Sequence, residues 1–349
     1  MILEALSNAF GPSGCENEVR QVVLDAIADK VDECRVDHLG NVIALQKGTA
    51  NAGFRVMVAA HMDEVGFMIT HADESGLLHF VKVGGIDDRV LLAKAVRIGE
   101  KRIPGVIITK PVHLTERSER ETVVDCEKMA IDIGVSSKAE AEKLVSKGDY
   151  AAFDVTFGDL GKMVKGKAFD DRVGCAVLVS LIENGPYPFD FCPVFTTMEE
   201  VGLRGARVAG FSVMPDAAFV LEGTICDDGP REKDESPTTA AGKGPAISVM
   251  DRSVVSDRRL VRLLIDAAEA GGIAYQFKQP GKGSTDAGAI HLAKTGVPSA
   301  PVSVPSRYIH SPVCMLDKKD LEDTVKLMTS TLRRLTPDVL RSKVEEESK

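Results

Sequence analysis

Acidic and imidazole side chains follow five hydrophobic runs of this chain, close to where buried strands are predicted to end. They are His61 and Asp63 in AAHMDEVG, Asp170 and Asp171 in KAFDDRVG, Glu199 and Glu200 in TTMEEVGLRGA, Glu222 in AFVLEGT, and His310 in SRYIHSP. Charged residues are rarely buried unless a partner compensates their charge. Five such sites that combine carboxylates with imidazoles indicate a pair of divalent metal ions and hydrolytic chemistry.

The elements that must position these residues are strands that alternate with helices. His61 follows FRVMVAA, Glu199 and Glu200 follow VFTTM, Glu222 closes AFVL, and His310 follows APVSV. Helical patterns cover residues 172–183, 258–270 and 318–335. This alternation predicts an α/β domain around a mostly parallel sheet, in which the carboxyl ends of the strands meet at one edge. The sequence therefore predicts that the five sites converge.

The stretch from residue 66 to residue 161 has a different pattern. It holds short β-like runs such as GFMIT, AVRIG and GVIIT, Gly-rich turns and one clear helix. The two flanks together form one α/β pattern that this stretch interrupts. We therefore predict a catalytic domain from residues 1–65 and 162–349, and an inserted β-rich domain from residues 66–161.

Near the N-terminus, Ser13 and Glu16 have the spacing of a capping box, in which each side chain satisfies a free backbone amide. Beyond them, apolar residues recur at helical spacing on one face: Val19, Val22, Val23, Ala26 and Ile27. We therefore predict a helix whose first turn is capped by Ser13 and Glu16.

Composition limits the classes of function. A chain of 349 residues with 44% hydrophobic content is long enough for two domains. The net charge of -9 disfavours nucleic acid and anionic membrane surfaces as partners. No segment reaches the roughly 18 consecutive apolar residues of a membrane span, and the N-terminus has no basic region of a signal peptide. Seven cysteines without a CxxC pair indicate reduced thiols and a cytoplasmic location.

The ligand types indicate which metals fit. Imidazole with carboxylate favours Zn²⁺, Co²⁺ or Mn²⁺ over Ca²⁺ or Mg²⁺. Two ions about 3.5–4 Å apart need a shared carboxylate, which Asp170 or Asp171 could supply. Acidic residues also cap helices, so Asp171 could cap the helix that opens at Arg172 while Asp170 faces the metals. For Glu222 the alternative is a structural carboxylate.

The motifs HMDEVG, FDDRVG, EEVGLRGA, GSTDAGAIH and RYIHSP, in this order, resemble the tetrahedral-aminopeptidase family of dinuclear metallo-aminopeptidases. That family includes glutamyl and deblocking aminopeptidases, and the similarity runs over nearly the whole chain. The resemblance implies that the insertion is a PDZ-like dimerisation domain. It also implies a homo-oligomer in which dimers form a hollow dodecamer that admits short peptides.

The resemblance further implies two divalent metal ions per subunit, Zn²⁺ or Co²⁺ with Mn²⁺ as a further candidate. His61, Asp170 and Glu222 would hold one ion, and Asp170, Glu200 and His310 the other. Glu199 would act as general base, and Asp63 would orient His61 through its second ring nitrogen. Thr285 and Asp286 of GSTDAGAIH would line the substrate pocket. The resemblance also implies a cis peptide between Asp170 and Asp171.

The predicted reaction is removal of the N-terminal residue from short peptides by a hydroxide that bridges the two metals. One alternative is a deacylase of small N-acyl substrates. A second is a glycoside hydrolase, whose two carboxylates stand about 5–9.5 Å apart across the scissile bond. Adjacent Glu199 and Glu200 would diverge instead. A third alternative, a non-catalytic scaffold, is disfavoured because every ligand is retained. The preferred N-terminal residue is not predicted.

Overall fold

The structure, a computed structural model, describes residues 2–230 and 236–341. Its strands are β1 (Glu33–Val36), β2 (Val42–Leu45), β3 (Asn51–His61), β4 (Gly66–Ala72), β5 (Leu78–Val83), β6 (Ala95–Ile98), β7 (Ile103–Ile108), β8 (Ala130–Asp132), β9 (Tyr150–Phe153), β10 (Gly158–Leu160), β11 (Met163–Gly166), β12 (Phe189–Thr196), β13 (Ala217–Cys226), β14 (Ala246–Ile247), β15 (Gln276–Phe277), β16 (Ser299–Arg307) and β17 (Cys314–Asp317).

The α-helices are α1 (Ile2–Asn8), α2 (Asn17–Ile27), α3 (Arg117–Arg120), α4 (Lys138–Leu144), α5 (Phe169–Glu183), α6 (Arg204–Val213), α7 (Arg258–Gly271), α8 (Ala287–Ile290) and α9 (Lys318–Arg334). Helices α5, α7 and α9 match the three helical patterns of the sequence to within three residues at each end. Within the described ranges, none of the helices is both long and apolar enough to cross a membrane.

Most of the strands form one large sheet whose centre is parallel. Strands β12, β3, β13 and β16 are parallel neighbours in this order, and antiparallel pairs flank them on both sides. Alternate residues of β3 point to opposite faces of the sheet. Val56 and Val58 join a core with α5, α7 and α9, whereas Met57 and Ala59 join a second core with α6 and α8. Both faces are therefore covered, which explains the continuous apolar run of β3.

The register of the parallel strands brings the predicted residues to one region. His61 at the end of β3 pairs with Thr196 at the end of β12, directly before the loop that carries Glu199. Glu222, however, lies within β13 rather than at its end, contrary to the sequence interpretation. The reason is that β13 stays paired with β16 as far as Cys226.

The second body of the fold is a closed barrel of six strands in the order β4-β5-β8-β7-β6-β9. Phe67 packs edge-on against Phe80 and Phe153 in its core, with ring centroids 5.1 and 5.2 Å apart. The α/β fold with an inserted β-rich domain is thus confirmed. The boundaries at 65 and 162 stay a prediction; β10 pairs with β11 of the large sheet, and residues 342–349 lie outside the described residues.

The predicted capping box is wrong. Helix α2 begins at Asn17, and Glu16, the residue before it, makes no side-chain hydrogen bond that caps the helix. The Ser13 hydroxyl instead donates to Oδ2 of Asp63 at 2.6 Å. Glu16 accepts hydrogen bonds from the amides of Gly14 at 2.7 Å and Met198 at 3.2 Å. Both side chains are used in contacts with distant segments, which local spacing does not reveal.

Candidate metal centre

Two groups of potential metal ligands share one residue. In each group the ligand atoms lie within 4.8 Å of one another; the groups are His61, Asp170 and Glu222, and Asp170, Glu200 and His310. Oδ1 of Asp170 lies 3.2 Å from Nε2 of His61, and Oδ2 lies 3.3 Å from Nε2 of His310. Asp170 thus presents one oxygen to each group, as a bridging carboxylate does in two-metal sites.

His61 ends β3 and is almost completely buried. Its Nδ1 lies 3.2 Å from the carbonyl oxygen of Asp63 and 3.3 Å from Oδ1 of the same residue. Because a carbonyl oxygen can only accept, Nδ1 is the donor in this contact. Nε2 then faces Asp170 and, at 3.6 Å, Oε2 of Glu222. Asp63 therefore holds His61 in the orientation in which Nε2 is available as a ligand.

Asp63 also connects His61 to the loop that follows β12. Its fully buried carboxylate accepts hydrogen bonds from the backbone amides of Glu199 at 3.0 Å and Glu200 at 3.1 Å. Burial raises the pKa of Asp63, but hydrogen bonds to His61 and Ser13 outweigh this effect and lower it. The ionised carboxylate is thus stabilised by the groups that it positions.

The two adjacent aspartates point in different directions. The peptide between Asp170 and Asp171 is cis, as the resemblance implies. Oδ2 of Asp171 accepts from the amide of His61 at 3.1 Å, and Oδ1 accepts from the amide of Gly174 at 2.9 Å. Asp171 therefore caps the helical part of α5 and contacts β3, while Asp170 faces the two histidines.

His310 is held from the barrel side. Its Nδ1 donates to the carbonyl oxygen of Gly85 at 2.7 Å, and Gly85 lies shortly after barrel strand β5. Its Nε2 lies 3.2 Å from Oε1 of Glu200. The backbone of His310 is in the left-handed region with φ of +57°, a conformation that surrounding contacts must stabilise.

The electrostatics of the site indicate a need for cations. Burial raises the pKa of Glu222 to about 8 and raises the pKa of Glu199 well above its usual value. Burial lowers the pKa of His310, but hydrogen bonds to Asp170 and Glu200 outweigh it and raise that pKa to about 11. Burial and mutual repulsion thus disfavour the charged forms of these carboxylates, and nearby cations would stabilise them. Oε1 of Glu222 is buried without a hydrogen-bond partner, so this donor set fits a pair of divalent cations.

A cavity of about 600 Å³ opens beside the two ligand groups. Its lining includes the potential ligands Asp170, Glu200, Glu222 and His310, together with Glu199 and Thr285. The Thr285 hydroxyl donates to Oδ2 of Asp251 at 3.0 Å. Asp286, by contrast, is fully buried outside the lining and accepts from the Thr196 hydroxyl; burial raises its pKa to about 6. Contact between Asp286 and substrate stays a prediction. The buried position of Asp286 outside the cavity lining does not favour it.

Sequence reasoning missed two residues of this region. Gly85 contributes only a carbonyl oxygen, which leaves no side-chain signal in a sequence. Lys278 lines the cavity directly after β15. It carries the same signal as the other site residues, a charge after an apolar run, but the strand is only two residues long.

The chain is similar to a known protein family and to several solved structures. Residues 40–327 match the family model described as M42 glutamyl aminopeptidase. The lysyl aminopeptidase of Pyrococcus furiosus is 33% identical over 346 residues, covering 96% of this chain and 97% of that protein. The solved TET aminopeptidase of the marine sediment archaeon Thaumarchaeota archaeon SCGC AB-539-E09 superposes with a TM-score of 0.92 at 37% identity, covering 97% of each chain. The TET1 peptidase of Pyrococcus horikoshii superposes at 0.85 with 35% identity, covering 96% of this chain and 99% of that chain.

The shared fold and the extent of the match define an aminopeptidase, which confirms the resemblance found in the sequence. The chain belongs to the M42 glutamyl aminopeptidase family. Members of this family are metal-dependent peptidases. The family does not by itself identify the preferred N-terminal residue, because the Pyrococcus furiosus relative is a lysyl aminopeptidase.

Proposed function

We propose that this enzyme removes single residues from the free N-terminus of short peptides with two divalent cations bound side by side. The observation that carries this proposal is the position of Asp170, whose two carboxylate oxygens face His61 and His310 separately. A carboxylate in that position is suited to bridging two ions.

His61, Asp170 and Glu222 would hold one cation, and Asp170, Glu200 and His310 the other. Zn²⁺ or Co²⁺ suits this mixture of imidazole and carboxylate, and Mn²⁺ is a further candidate. When bound, the cations lower the pKa of water to near neutrality, so that hydroxide is available, and they polarise the scissile carbonyl.

Glu199 is the proposed general base. It lines the cavity and is buried, and its backbone amide is held by Asp63. A carboxylate with a raised pKa can accept a proton from water and later donate it to the leaving amine near neutral pH. Glu199 belongs to neither ligand group, so its carboxylate remains available for proton transfer.

Thr285, in the loop between β15 and α8, is the proposed substrate contact. It lines the cavity, and its hydrogen bond to Asp251 fixes its side chain. The cavity is of a size typical for small ligands. This supports short peptides with a free α-amine as substrates, since the amine can approach the carboxylates of the site.

We also propose that twelve copies of the chain assemble into a dodecamer built from dimers, and that each dimer forms through the inserted domain. The Pyrococcus horikoshii TET1 peptidase assembles into a tetrahedron or a large octahedral shell, and the similarity covers nearly the full length of both chains. Light scattering with and without chelator tests this assembly, and a monomer under both conditions would contradict it. We propose the cytoplasm as its location, because all seven cysteines are free thiols.

The competing reactions explain less of the site. A glycoside hydrolase needs two carboxylates across a sugar bond, and it leaves His61 and His310 without a role. A deacylase would use the same cations but would prefer a blocked α-amine. The aminopeptidase and the deacylase both hydrolyse an amide bond, so they are distinguished by whether the preferred substrate has a free or a blocked α-amine.

The experiment strips the protein with a chelator and restores Zn²⁺, Co²⁺ or Mn²⁺ separately. Turnover of an aminoacyl anilide is then compared with turnover of its N-acetylated form, and bound metal is counted by elemental analysis. We expect two ions per chain and faster turnover of the free amine. Faster turnover of the blocked substrate would favour the deacylase, and metal-independent turnover would contradict the proposal.

A further inference from the structure

Glu64, directly after Asp63 in the loop that follows β3, is a buried carboxylate with three donors on one oxygen. Its Oε1 accepts hydrogen bonds from the backbone amide of Gly11 at 3.0 Å, from Nζ of Lys167 at 2.5 Å and from a guanidinium nitrogen of Arg172 at 3.3 Å. Lys167 and Arg172 are themselves buried. Because a buried charge is stable only when it is paired and hydrogen-bonded, Glu64 compensates both cations.

The three donors come from segments that frame the proposed metal centre. In the sequence, Lys167 and Arg172 lie on either side of Asp170, the shared member of the two ligand groups. Gly11 belongs to the N-terminal segment that also supplies a hydrogen bond to Asp63. One carboxylate oxygen therefore connects the segments before and within α5 to the segment that precedes α2.

Backbone contacts fix the same loop against the N-terminal segment. The amide of Glu64 donates to the carbonyl of Gly11 at 2.9 Å, and the carbonyl of Glu64 accepts from the amide of Ser13 at 3.2 Å. Arg172 also donates to the carbonyl of Ala9 at 3.2 Å. The loop after β3, the N-terminal segment and the start of α5 are thus held together as one unit.

The cluster adjoins the potential ligands but not the substrate cavity. A small cavity of about 10 Å³ is lined by Glu64 and Lys167 together with Asp170, Glu200 and His310. Glu64 is not part of the lining of the large cavity, and it belongs to neither ligand group among the described residues. It can therefore act on the reaction through the residues that it holds, and not by contact with substrate or cation.

We propose that Glu64 is a positioning residue that sets the distance between the loop carrying Asp63 and the segment carrying Asp170. This inference rests on the proposed function, because it takes the two ligand groups as cation sites. Asp63 orients His61, and His61 and Asp170 belong to the same ligand group. A displacement of about 1 Å between such groups can reduce the rate about 10²-fold.

The experiment compares two double variants that differ in one side chain. Glu64→Met alone would leave Lys167 buried without this partner and would destabilise the fold, so each variant also carries Lys167→Met. Glu64→Met with Lys167→Met places apolar side chains of similar size where the ion pair was, an exchange that is often neutral for stability. Glu64→Gln with Lys167→Met keeps an acceptor oxygen for Gly11 and Arg172.

We expect the variant with Met at both positions to bind Zn²⁺ about 10- to 100-fold more weakly than the wild type, the range expected for groups that orient ligands. Titration with a competing chelator measures this affinity, and the melting temperature of the metal-free protein should stay close to that of the wild type. At saturating Zn²⁺, kcat for leucyl anilide should fall about 10-fold or more, with KM nearly unchanged because Glu64 does not line the substrate cavity. The variant that carries Glu64→Gln should retain most of the affinity.

Asp320→Asn is the matched control. Asp320 is a similarly buried carboxylate that accepts hydrogen bonds from the amides of Gly242 at 2.6 Å and Gly244 at 2.8 Å, and it lines neither cavity. This variant should lower the melting temperature without weakening the binding of Zn²⁺.

Wild-type affinity and kcat in the variant with Met at both positions would overturn the inference. Equal losses in both double variants would do so as well, because they would assign the effect to Lys167 rather than to the acceptor at position 64. An equally large loss of Zn²⁺ affinity in Asp320→Asn would contradict it too, since affinity would then follow stability alone. The proposed function fails separately, if the wild type binds no divalent cation and cleaves no aminoacyl anilide.

Discussion

The carbonyl oxygen of Gly85 accepts a hydrogen bond from Nδ1 of His310 at 2.7 Å, across 225 positions of the chain. Gly85 follows a strand of the barrel, whereas His310 follows β16 of the large sheet. The contact leaves Nε2 of His310 facing Asp170 and Glu200. The orientation of one proposed metal ligand therefore depends on how the barrel packs against the sheet.

Replacing His310 should remove one of the two proposed cation sites. His310→Ala leaves Asp170 and Glu200 without their imidazole partner, so we expect one bound ion per chain instead of two. Activity should fall about 100-fold or more, because a metal contributes several kcal/mol to the transition state. Elemental analysis and anilide turnover check both results. His38→Ala, at an exposed position, is the control, and two retained ions in His310→Ala would contradict the ligand assignment.

Asp63→Asn tests whether Asp63 positions the site. The amide cannot serve as an anionic acceptor for His61 and for the backbone amides of Glu199 and Glu200 at the same time. We expect the affinity for metal to fall about 10- to 100-fold, as for other residues that orient a ligand. Titration with a competing chelator measures this change. Asp25→Asn is an exposed control, and unchanged affinity in Asp63→Asn would show that His61 is oriented by other contacts.

Glu199→Gln separates proton transfer from metal binding. The amide keeps the shape of the side chain but cannot act as a base, so kcat should fall by about 10²- to 10⁴-fold. The number of bound ions should stay at two, because Glu199 is not among either group of ligands. Steady-state kinetics and elemental analysis are measured on the same preparation, with Glu322→Gln as the surface control. Activity close to that of the wild type would remove Glu199 from the role of base.

Asp228→Asn should lower the stability by an amount that depends on pH, because it removes a pair whose contribution is lost in acid. Arg307 contacts both carboxylate oxygens of Asp228, at 2.7 and 2.9 Å, and this hydrogen bonding lowers the pKa of Asp228 from 3.8 to about 2. Because the folded pKa is below the unfolded one, the pair stabilises the fold above about pH 4, and the contribution is lost as the pH falls towards 2. At pH 7 we expect a loss of about 1 kcal/mol in the free energy of unfolding, since solvent screens the partly exposed pair.

Urea unfolding at pH 7, 5 and 3.5 measures the difference between Asp228→Asn and the wild type. The difference should be constant between the first two values and smaller at the third. Asp338→Asn is the control, because Asp338 pairs with Arg341 on an exposed surface and such pairs contribute little. A difference that grew at low pH would contradict the assignment of the ion pair.

Much of the site could be predicted from the sequence because its signals are local. His61, Glu199, Glu200 and His310 each follow an apolar run, and parallel strands bring such positions to one edge whatever the details of packing. The separate roles of Asp170 and Asp171 could also be predicted. One acid can cap a helix, as Asp171 does, while its neighbour faces the proposed metal site.

Other features were decided only by contacts between distant segments. The partner of Ser13 is Asp63 rather than its own helix, Nδ1 of His310 is fixed by a backbone carbonyl of the barrel, and Glu222 stays inside β13 because β16 pairs beyond it. The sequence by itself determined which side chains could hold metal and which strands would carry them. The reason is that a polar residue directly after an apolar run is a local pattern, visible without the fold. The tertiary structure decided which atoms face one another, including Lys278 on the cavity wall, because hydrogen-bond partners far apart in the chain leave no periodic pattern.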